Sequence, residues 1–145
     1  MKILLSDDLI VWPTIALVGL IWVVWARLLQ QRFSHLRRNP PMREDFATGS
    51  AALRYFEPVE MPANNLRNLF EMPALFFALV PLVMITGRLS LLQVFLAWLF
   101  VLFRCLHSWD HVVTGKVQRR FRWYLVSSIC LLVMWLDFAL DILLR

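Results

Sequence analysis

Residues 64–85 read NNLRNLFEMPALFFALVPLVMI, and this stretch decides the class of the fold. Its second half, from residue 74 onward, carries no charge, whereas Asn64, Arg67, Asn68 and Glu71 crowd the first turns. A charge near the centre of a bilayer costs about 2.5–3.5 kcal/mol even on the most lenient scale. Polar residues at the start of an apolar helix therefore need a reason, such as a packing contact or a bound ligand.

The composition is that of a membrane protein. The 145 residues are 60% hydrophobic and 17% charged, with a mean hydropathy of +0.64, whereas soluble domains are about 45–50% apolar and about 25% charged. The net charge of +5 would suggest nucleic-acid binding in a soluble domain. Here the cations lie between apolar runs, where they indicate topology. We expect one domain over residues 1–145 and no nucleic-acid partner.

Four apolar runs are long enough to cross a bilayer, which takes about 20 residues. They predict helices at about 9–31, 62–86, 90–111 and 120–144, joined in part by a long loop at about 32–61. Ser90 is the expected N-cap of the third helix, and Gly87 the expected C-terminal stop of the second. The predicted fold class is an all-α integral membrane protein, a four-transmembrane-helix bundle.

The cations predict the orientation of this bundle. The first loop holds Arg32, Arg37, Arg38, Arg43 and Arg54, and the third loop region holds Lys116, Arg119, Arg120 and Arg122. Basic loops stay on the cytoplasmic side of a membrane. Loops one and three are therefore expected in the cytoplasm and both termini on the opposite side, which for a bacterial inner membrane is the periplasm.

Polar side chains recur along one face of the second and third helices. The second helix carries Asn64, Arg67, Asn68 and Glu71. The third carries Arg104, His107, Ser108 and His111 at i, i+3, i+4 and i+7, whereas Asp110 points elsewhere. All of these residues, with Arg27 and the arginines at the start of the fourth helix, lie in the cytoplasmic halves. Since intramembrane ionisable groups usually face the bundle interior, we expect one polar, net-cationic cavity that favours an anionic ligand.

Each of these residues also has a purely structural interpretation. Asn68 and Glu71 could be interhelical hydrogen-bonding groups, and Arg27 and Arg122 could extend to lipid headgroups. His107 alone is typical of a packed, hydrogen-bonded core histidine.

Two further expectations concern Arg104 and the cysteines. Arg104 lies about three turns into an apolar helix and needs a partner such as Glu71. Cys105 and Cys130 fall inside apolar runs without metal-ligand spacing. They are expected to be small buried hydrophobes, and no metal site is predicted.

Two stretches, NNLRNLFEMPALFFAL and LAWLFVLFRCLHSWDH, resemble the MAPEG family, the membrane-associated proteins of eicosanoid and glutathione metabolism. The resemblance covers about residues 9–140. It is most specific at Asn68, Glu71 and Pro73, joined to Arg104 and His107. The chain looks closer to the bacterial branch of the family than to its eukaryotic glutathione users.

The resemblance implies a homotrimer that binds glutathione, as co-substrate, between neighbouring subunits. The implied glutathione-binding residues are Arg27, Asn64, Arg67, Asn68, Glu71, Arg104, His107 and His111. Among these, Asn64 stands where eukaryotic members have arginine, and His111 where relatives often carry tyrosine. An arginine at the start of the fourth helix pairs with the thiol in the family, and Arg122 or Arg120 fits this role. Val126 stands where a tyrosine is common in the family, and if Arg122 is the match, Trp123 stands in place of a serine.

Together these observations predict a membrane-bound glutathione-dependent transferase or peroxidase. It would act on lipophilic electrophiles or lipid peroxides through an arginine-stabilised thiolate at the subunit interface. The alternative is a non-catalytic lipid- or fatty-acid-binding member of the family, which the missing arginine and tyrosine would favour. A channel or transporter is a third interpretation, but the sequence lacks discontinuous helices and internal symmetry.

Overall fold

The computed structural model describes residues 8–144, and these residues form helices and short connections without a β-strand. The helices are α1 (Asp8–Arg38), α2 (Gly49–Phe56), α3 (Met61–Ile85), α4 (Leu91–Trp109) and α5 (Val117–Leu143). Short 3₁₀ turns flank α2 at Arg43–Phe46 and Glu57–Val59, and a π-helical turn, Asp110–Thr114, extends α4. The helices α1, α3, α4 with its extension, and α5 are each long and apolar enough to cross a membrane. The four-helix membrane fold class is thereby confirmed.

Two helix boundaries and the first loop differ from the prediction. The first helix continues past residue 31 to Arg38, and α5 begins at Val117 rather than near residue 120. The 31 residues of α1 span about 46 Å, more than the bilayer core of about 30 Å. Its polar end therefore projects beyond the apolar run from which the prediction was made. The expected loop at 32–61 is largely helical, since it contains the end of α1, α2 and both 3₁₀ turns.

Both predicted helix-end signals around the second connection are present. The Ser90 hydroxyl accepts a hydrogen bond from the Gln93 amide at 3.1 Å, as an N-cap does. The helix α3 ends at Ile85, and Gly87 adopts φ +62° two residues later. The Arg88 amide donates to the Val83 carbonyl at 3.0 Å, which is the long bond of a Schellman motif.

The helices α4 and α5 run antiparallel and are joined by an ion pair at each end. Arg88, just before α4, binds Asp141 near the end of α5 at 2.7 Å. Asp110, just after α4, binds Arg119 near the start of α5. An apolar core between these ends includes the stacked rings of Phe76 and Phe100, whose centroids lie 5.1 Å apart.

The segment between α1 and α3 folds back onto the end of α1. The Tyr55 hydroxyl donates to the Asn39 carbonyl, and its ring packs edge-on against His35 at 4.9 Å. The Arg32 guanidinium lies 4.8 Å from the centroid of the Phe56 ring. We call this end of the bundle, which contains residues 27–38, 61–68, 104–114 and 117–124, the loop end.

Two glycines give a matched test of these helix ends. Replacing Gly87, at φ +62°, by alanine should destabilise the protein by about 1–2 kcal/mol, because a Cβ is strained in this conformation. Gly19 lies inside α1, and a Cβ added there would meet no atom within 4 Å, so Gly19→Ala should be neutral or stabilise by up to about 1 kcal/mol. Thermal unfolding in detergent, followed by circular dichroism, measures both effects. Equal melting temperatures for Gly87→Ala and Gly19→Ala would contradict the left-handed conformation of Gly87.

Candidate functional site

Arg104 is the most deeply buried charged residue at the loop end. Its side chain is 0% exposed, and its guanidinium lies over two rings, 4.9 Å from the Tyr124 centroid and 5.5 Å from that of Phe100. Nη1 makes one long contact of 3.5 Å with the backbone carbonyl of Asn68. Arg104 is buried because it lies on the same face of α4 as the buried apolar residues of that helix.

The hydrogen-bonding capacity of Arg104 is mostly unused within the protomer. Nε and Nη2 are both buried and have no hydrogen-bond partner. Glu71, the expected ion-pair partner, acts on the charge of Arg104 only at longer range and is itself exposed. The ion pairs among residues 8–144 are Arg88–Asp141 and Asp110–Arg119, so the prediction of an Arg104–Glu71 ion pair is wrong. A buried guanidinium without an ion-pair partner is costly, and an anionic ligand would offset that cost.

Two histidines continue the polar face of α4. His107 Nδ1 lies 2.8 Å from the Arg120 carbonyl oxygen, and since a carbonyl only accepts, Nδ1 carries the proton. In the neutral imidazole, His107 Nε2 is then a lone-pair acceptor, and it is buried without a partner. The His111 ring stands perpendicular to the His107 ring at 5.6 Å, and its Nδ1 is likewise buried and unpaired.

Asn65 and Tyr124 are site residues that the sequence analysis did not select. Asn65 is fully buried, its Oδ1 accepts from the Ser108 hydroxyl at 3.3 Å, and its Nδ2 has no partner. Tyr124 packs against both Arg104 and His107. Its position one turn after Arg120, on the same face of α5, is the signal that could have identified it.

We call this arrangement the buried polar chamber. The name denotes a cluster of buried and half-buried polar side chains, which are Asn65, Arg104, His107, Ser108, His111 and Tyr124, together with the backbone carbonyl of Asn68. Its unpaired atoms are Asn65 Nδ2, Arg104 Nε and Nη2, His107 Nε2 and His111 Nδ1. Buried polar groups in proteins are almost always paired, and here donors dominate. The chamber is therefore suited to a ligand rich in acceptor oxygens.

Three of the predicted residues on α3 lie outside the chamber. Arg67 and Glu71 are exposed on the protomer, and Asn64 is half-buried. Asn68, half-buried, reaches Arg104 through its backbone carbonyl only. Of these polar residues of α3, only Asn68 contacts the chamber, through its backbone carbonyl, whereas the charged side chains of Arg67 and Glu71 face outward.

Arg27 lies at the edge of the chamber, because it borders the same apolar groove between α1 and α4 as Ser108. It is exposed, donates to Gln30 Oε1 at 2.6 Å, and borders a polar cavity of about 470 Å³. Other lining residues of this cavity include Ser34, Arg38 and Pro58. The cavity therefore lies between the projecting end of α1 and the segment that folds onto it.

The two arginines proposed for the start of the fourth helix face in different directions. Arg120 is half-buried, and it acts electrostatically on both His107 and His111. Arg122 is exposed and borders a shallow cavity of about 400 Å³ with Lys116 and Arg119. Two residues of separation turn a helix by about 200°, so only one of the two can face the chamber.

Asp110 and one of the two cysteines differ in burial from what the sequence suggested. Asp110 does lie off the Arg104 stripe, but it is only 2% exposed and pairs with Arg119. Cys130 is buried as expected, whereas Cys105 is exposed in an apolar groove between α1 and α4, which corrects the expectation for that residue. Within residues 8–144, no three His, Cys, Asp or Glu side chains are grouped to hold a metal ion.

The chain as a whole is similar in sequence to one known protein family. The model of the MAPEG family matches residues 10–140, nearly the whole chain, and the chain therefore belongs to the MAPEG family. Its members generally use glutathione, so membership supports a membrane function in glutathione or eicosanoid metabolism. No curated protein and no solved structure matches the chain.

Arg104 gives the first functional test of the chamber. Arg104→Leu should raise the stability of the ligand-free protein by about 1 kcal/mol or more, because it removes a buried charge without a full set of partners. The same change should abolish any stabilisation by an anionic ligand, which depends on binding to the folded state. Melting temperatures with and without ligand measure both effects.

Arg88→Leu is the matched control for this test. It removes an arginine that has an ion-pair partner, Asp141, so it should destabilise the protein by about 1–3 kcal/mol. A similar loss for Arg104→Leu would show that Arg104 has a structural role rather than a ligand-binding one.

Proposed function

We propose that this MAPEG protein is a membrane-bound glutathione-dependent transferase or peroxidase acting on lipophilic electrophiles or lipid peroxides. The observation that carries the proposal is the fully buried Arg104 with two unpaired donors. Glutathione has two carboxylates, and guanidinium groups bind carboxylates through paired, charge-assisted hydrogen bonds. The unpaired amide of Asn65 adds a further donor for the same ligand.

Arg120 is the proposed partner of the glutathione thiol. It shares a face of α5 with Tyr124, which packs under Arg104, and its carbonyl holds His107. If Arg120 is the arginine of the family pattern, the tyrosine expected four residues later is Tyr124; if Arg122 is, that position holds Val126. The first assignment supplies a tyrosine that contacts the chamber, so the structure favours Arg120 over Arg122.

The chemistry follows from this cation. A free thiol has a pKa of about 8.5, and a neighbouring guanidinium favours the thiolate, which is the nucleophile. The thiolate would attack a lipophilic electrophile that reaches the site laterally from the bilayer. Holding both reactants in one place converts a bimolecular step into an effectively unimolecular one. The nucleophilic sulfur is that of glutathione, so Cys105 and Cys130 need take no part.

The proposed site lies between subunits of a homotrimer. Arg67 and Glu71 are exposed on a membrane-spanning helix of the protomer, and a charge exposed to hydrocarbon costs about 2.5–3.5 kcal/mol. Coverage by a second copy would remove that cost. In such an assembly Glu71 would anchor the glutathione ammonium, and Arg27, which borders the same groove as Ser108, would contact the ligand.

The proposed orientation places the loop end in the cytoplasm. The arginines of residues 27–54 and 119–122 cluster at this end, and basic segments are retained on the cytoplasmic side. In a bacterial inner membrane, glutathione would then enter the chamber from the cytoplasm.

A second candidate function is non-catalytic binding of an anionic lipid. An apolar groove of about 340 Å³ between α1 and α4 is lined by Leu20, Val24, Cys105 and Trp109, among others, and has Arg27 at its border. Such a groove suits an acyl chain with its acidic headgroup at the arginine. This candidate requires no thiol chemistry.

Glutathione binding, measured by calorimetry in detergent, tests the proposed function. The wild type should bind saturably, and Glu71→Ala should lose most of the affinity because it removes the anchor of the ammonium group. In Arg120→Ala the ligand should still bind, but the ultraviolet absorbance of the bound thiolate should disappear. Arg122→Ala, which removes an exposed arginine two residues away, is the matched comparison and should retain the thiolate signal.

The outcomes separate the two candidates. Loss of the thiolate in Arg122→Ala but not in Arg120→Ala would reverse the assignment of the arginine. A wild type that binds no glutathione would rule out the transferase, and saturable binding of a fatty acid that weakens in Arg27→Ala would then favour the lipid-binding function.

A further inference from the structure

We propose that Asp110 is a positioning residue that fixes the start of α5, so that Arg120 rather than Arg119 or Arg122 faces the buried polar chamber. The inference rests on the role of Arg120 proposed above. Asp110 lies off the Arg104 stripe, where Arg119 and Trp123 of α5 bind it, and it is not one of the residues of the chamber.

The Asp110 carboxylate is almost completely enclosed by donors. Arg119 donates to both oxygens, through Nε to Oδ2 and through Nη2 to Oδ1. Trp123 Nε1 donates to Oδ2 at 2.9 Å, and the Thr114 hydroxyl donates to Oδ1 at 2.9 Å. A two-pronged arginine–carboxylate pair fixes orientation as well as distance, so Asp110 specifies both where α5 begins and how it is rotated.

The backbone between the two helices is equally constrained. Residues Asp110–Thr114 form a π-helical turn, and Gly115 follows at φ +66° with its amide bonded to the Asp110 carbonyl at 2.9 Å. Only residues 115–116 separate this turn from α5. π-helical turns are rare and frequently occur at functional sites. The Asp110 contacts therefore act across a short, tightly turned connection.

The rotation of α5 decides which arginine can reach the chamber. Arg119 and Trp123 are one turn apart and share the face bound to Asp110. Arg120 follows Arg119 by about 100° around the helix, on the face of Tyr124, and Arg122 lies roughly opposite to Arg120. With the Arg119 face held against Asp110, the Arg120 carbonyl meets His107 and its charge acts on His107 and His111. Stacking of Trp123 on Phe103 at 5.8 Å supports the same rotation.

The experiment compares variants at both partners of the ion pair. In wild-type protein saturated with glutathione, the thiolate absorbance is the reference. Asp110→Asn and Arg119→Ala should each lower that absorbance roughly tenfold, since a neighbouring opposite charge shifts a pKa by about 1–3 units and displacement of the Arg120 guanidinium would remove that shift. The dissociation constant for S-methylglutathione, which has no thiol, should change by less than about threefold, because the carboxylate-binding residues stay in place. Arg119→Lys keeps the charge and should retain much of the signal.

The direction of the two changes distinguishes positioning from a simple charge effect. Asp110→Asn removes a negative charge and Arg119→Ala removes a positive one. A long-range electrostatic effect would move the thiolate signal in opposite directions, up for the first and down for the second. Loss of positioning lowers the signal in both. A rise in Asp110→Asn would therefore overturn the proposal.

Asp141→Asn is the matched control. It weakens the ion pair with Arg88 at the opposite end of the same two helices. If loosening of α4–α5 packing were sufficient, this variant would also lose the thiolate signal, and Asp110 would have no special role. We expect the signal to be retained.

Amide hydrogen exchange keeps the failure of this proposal distinct from failure of the proposed function. Asp110→Asn and Arg119→Ala should speed exchange by about tenfold or more over residues 117–122, with no change near residue 140. If the wild type binds no glutathione but this acceleration is seen, the role of Asp110 in fixing α5 stands and only the function is wrong. If Arg120→Ala abolishes the thiolate signal while both variants leave exchange and signal unchanged, the positioning role is overturned.

Discussion

The proposed ligand binding at the loop end of this bundle depends on the burial of one guanidinium, that of Arg104. Arg104 lies inside an apolar helix with no exposed surface, and it has no ion-pair partner among residues 8–144; its contacts include the rings of Tyr124 and Phe100 and one long bond to the Asn68 carbonyl. Cation–π contacts of this kind contribute on the order of 1–2 kcal/mol each, less than the desolvation cost of a buried charge. The protomer therefore holds Arg104 in an incompletely compensated state. In a preorganised binding site, that deficit becomes affinity for an acceptor-rich ligand.

A second constraint fixes the position of Arg104 relative to α5. The helices α4 and α5 are joined by an ion pair at each end. Arg88–Asp141 and Asp110–Arg119 oppose sliding and rotation of the two helices. Between them, the buried Gln93 side chain donates to Asp137 at 2.8 Å and to the Met134 carbonyl at 2.9 Å. Polar contacts between membrane helices fix register more than they add stability. The arginine of α4 and the first turn of α5 can thus be held at a constant separation without a ligand.

The sequence allowed the fold to be predicted well, because hydropathy and helix ends are local signals: the four spans, the Ser90 cap and the Gly87 stop all follow from a few neighbouring residues. It also identified Arg104 and His107 as inward-facing, since helical periodicity is independent of the partner helix. It failed where the answer depended on rotation between helices. Glu71 lies on the correct helix for Arg104 but faces outward, and Asp110 was set aside although α5 buries it. The helical periodicity of one segment predicts which of its residues share a face, but it does not predict how the neighbouring helix is rotated.

The polar residues that open α3 now divide into two groups with different requirements. Asn65 and the Asn68 carbonyl face inward, where Ser108 and Arg104 meet them, so one protomer accounts for both. Arg67 and Glu71 are exposed on a membrane-spanning helix, and neither forms an ion pair within residues 8–144. Exposed charges of opposite sign, one turn apart on a membrane helix, are stable only if protein or water covers them. This face of α3 is therefore the surface on which the proposed second subunit and the proposed glutathione ligand would meet.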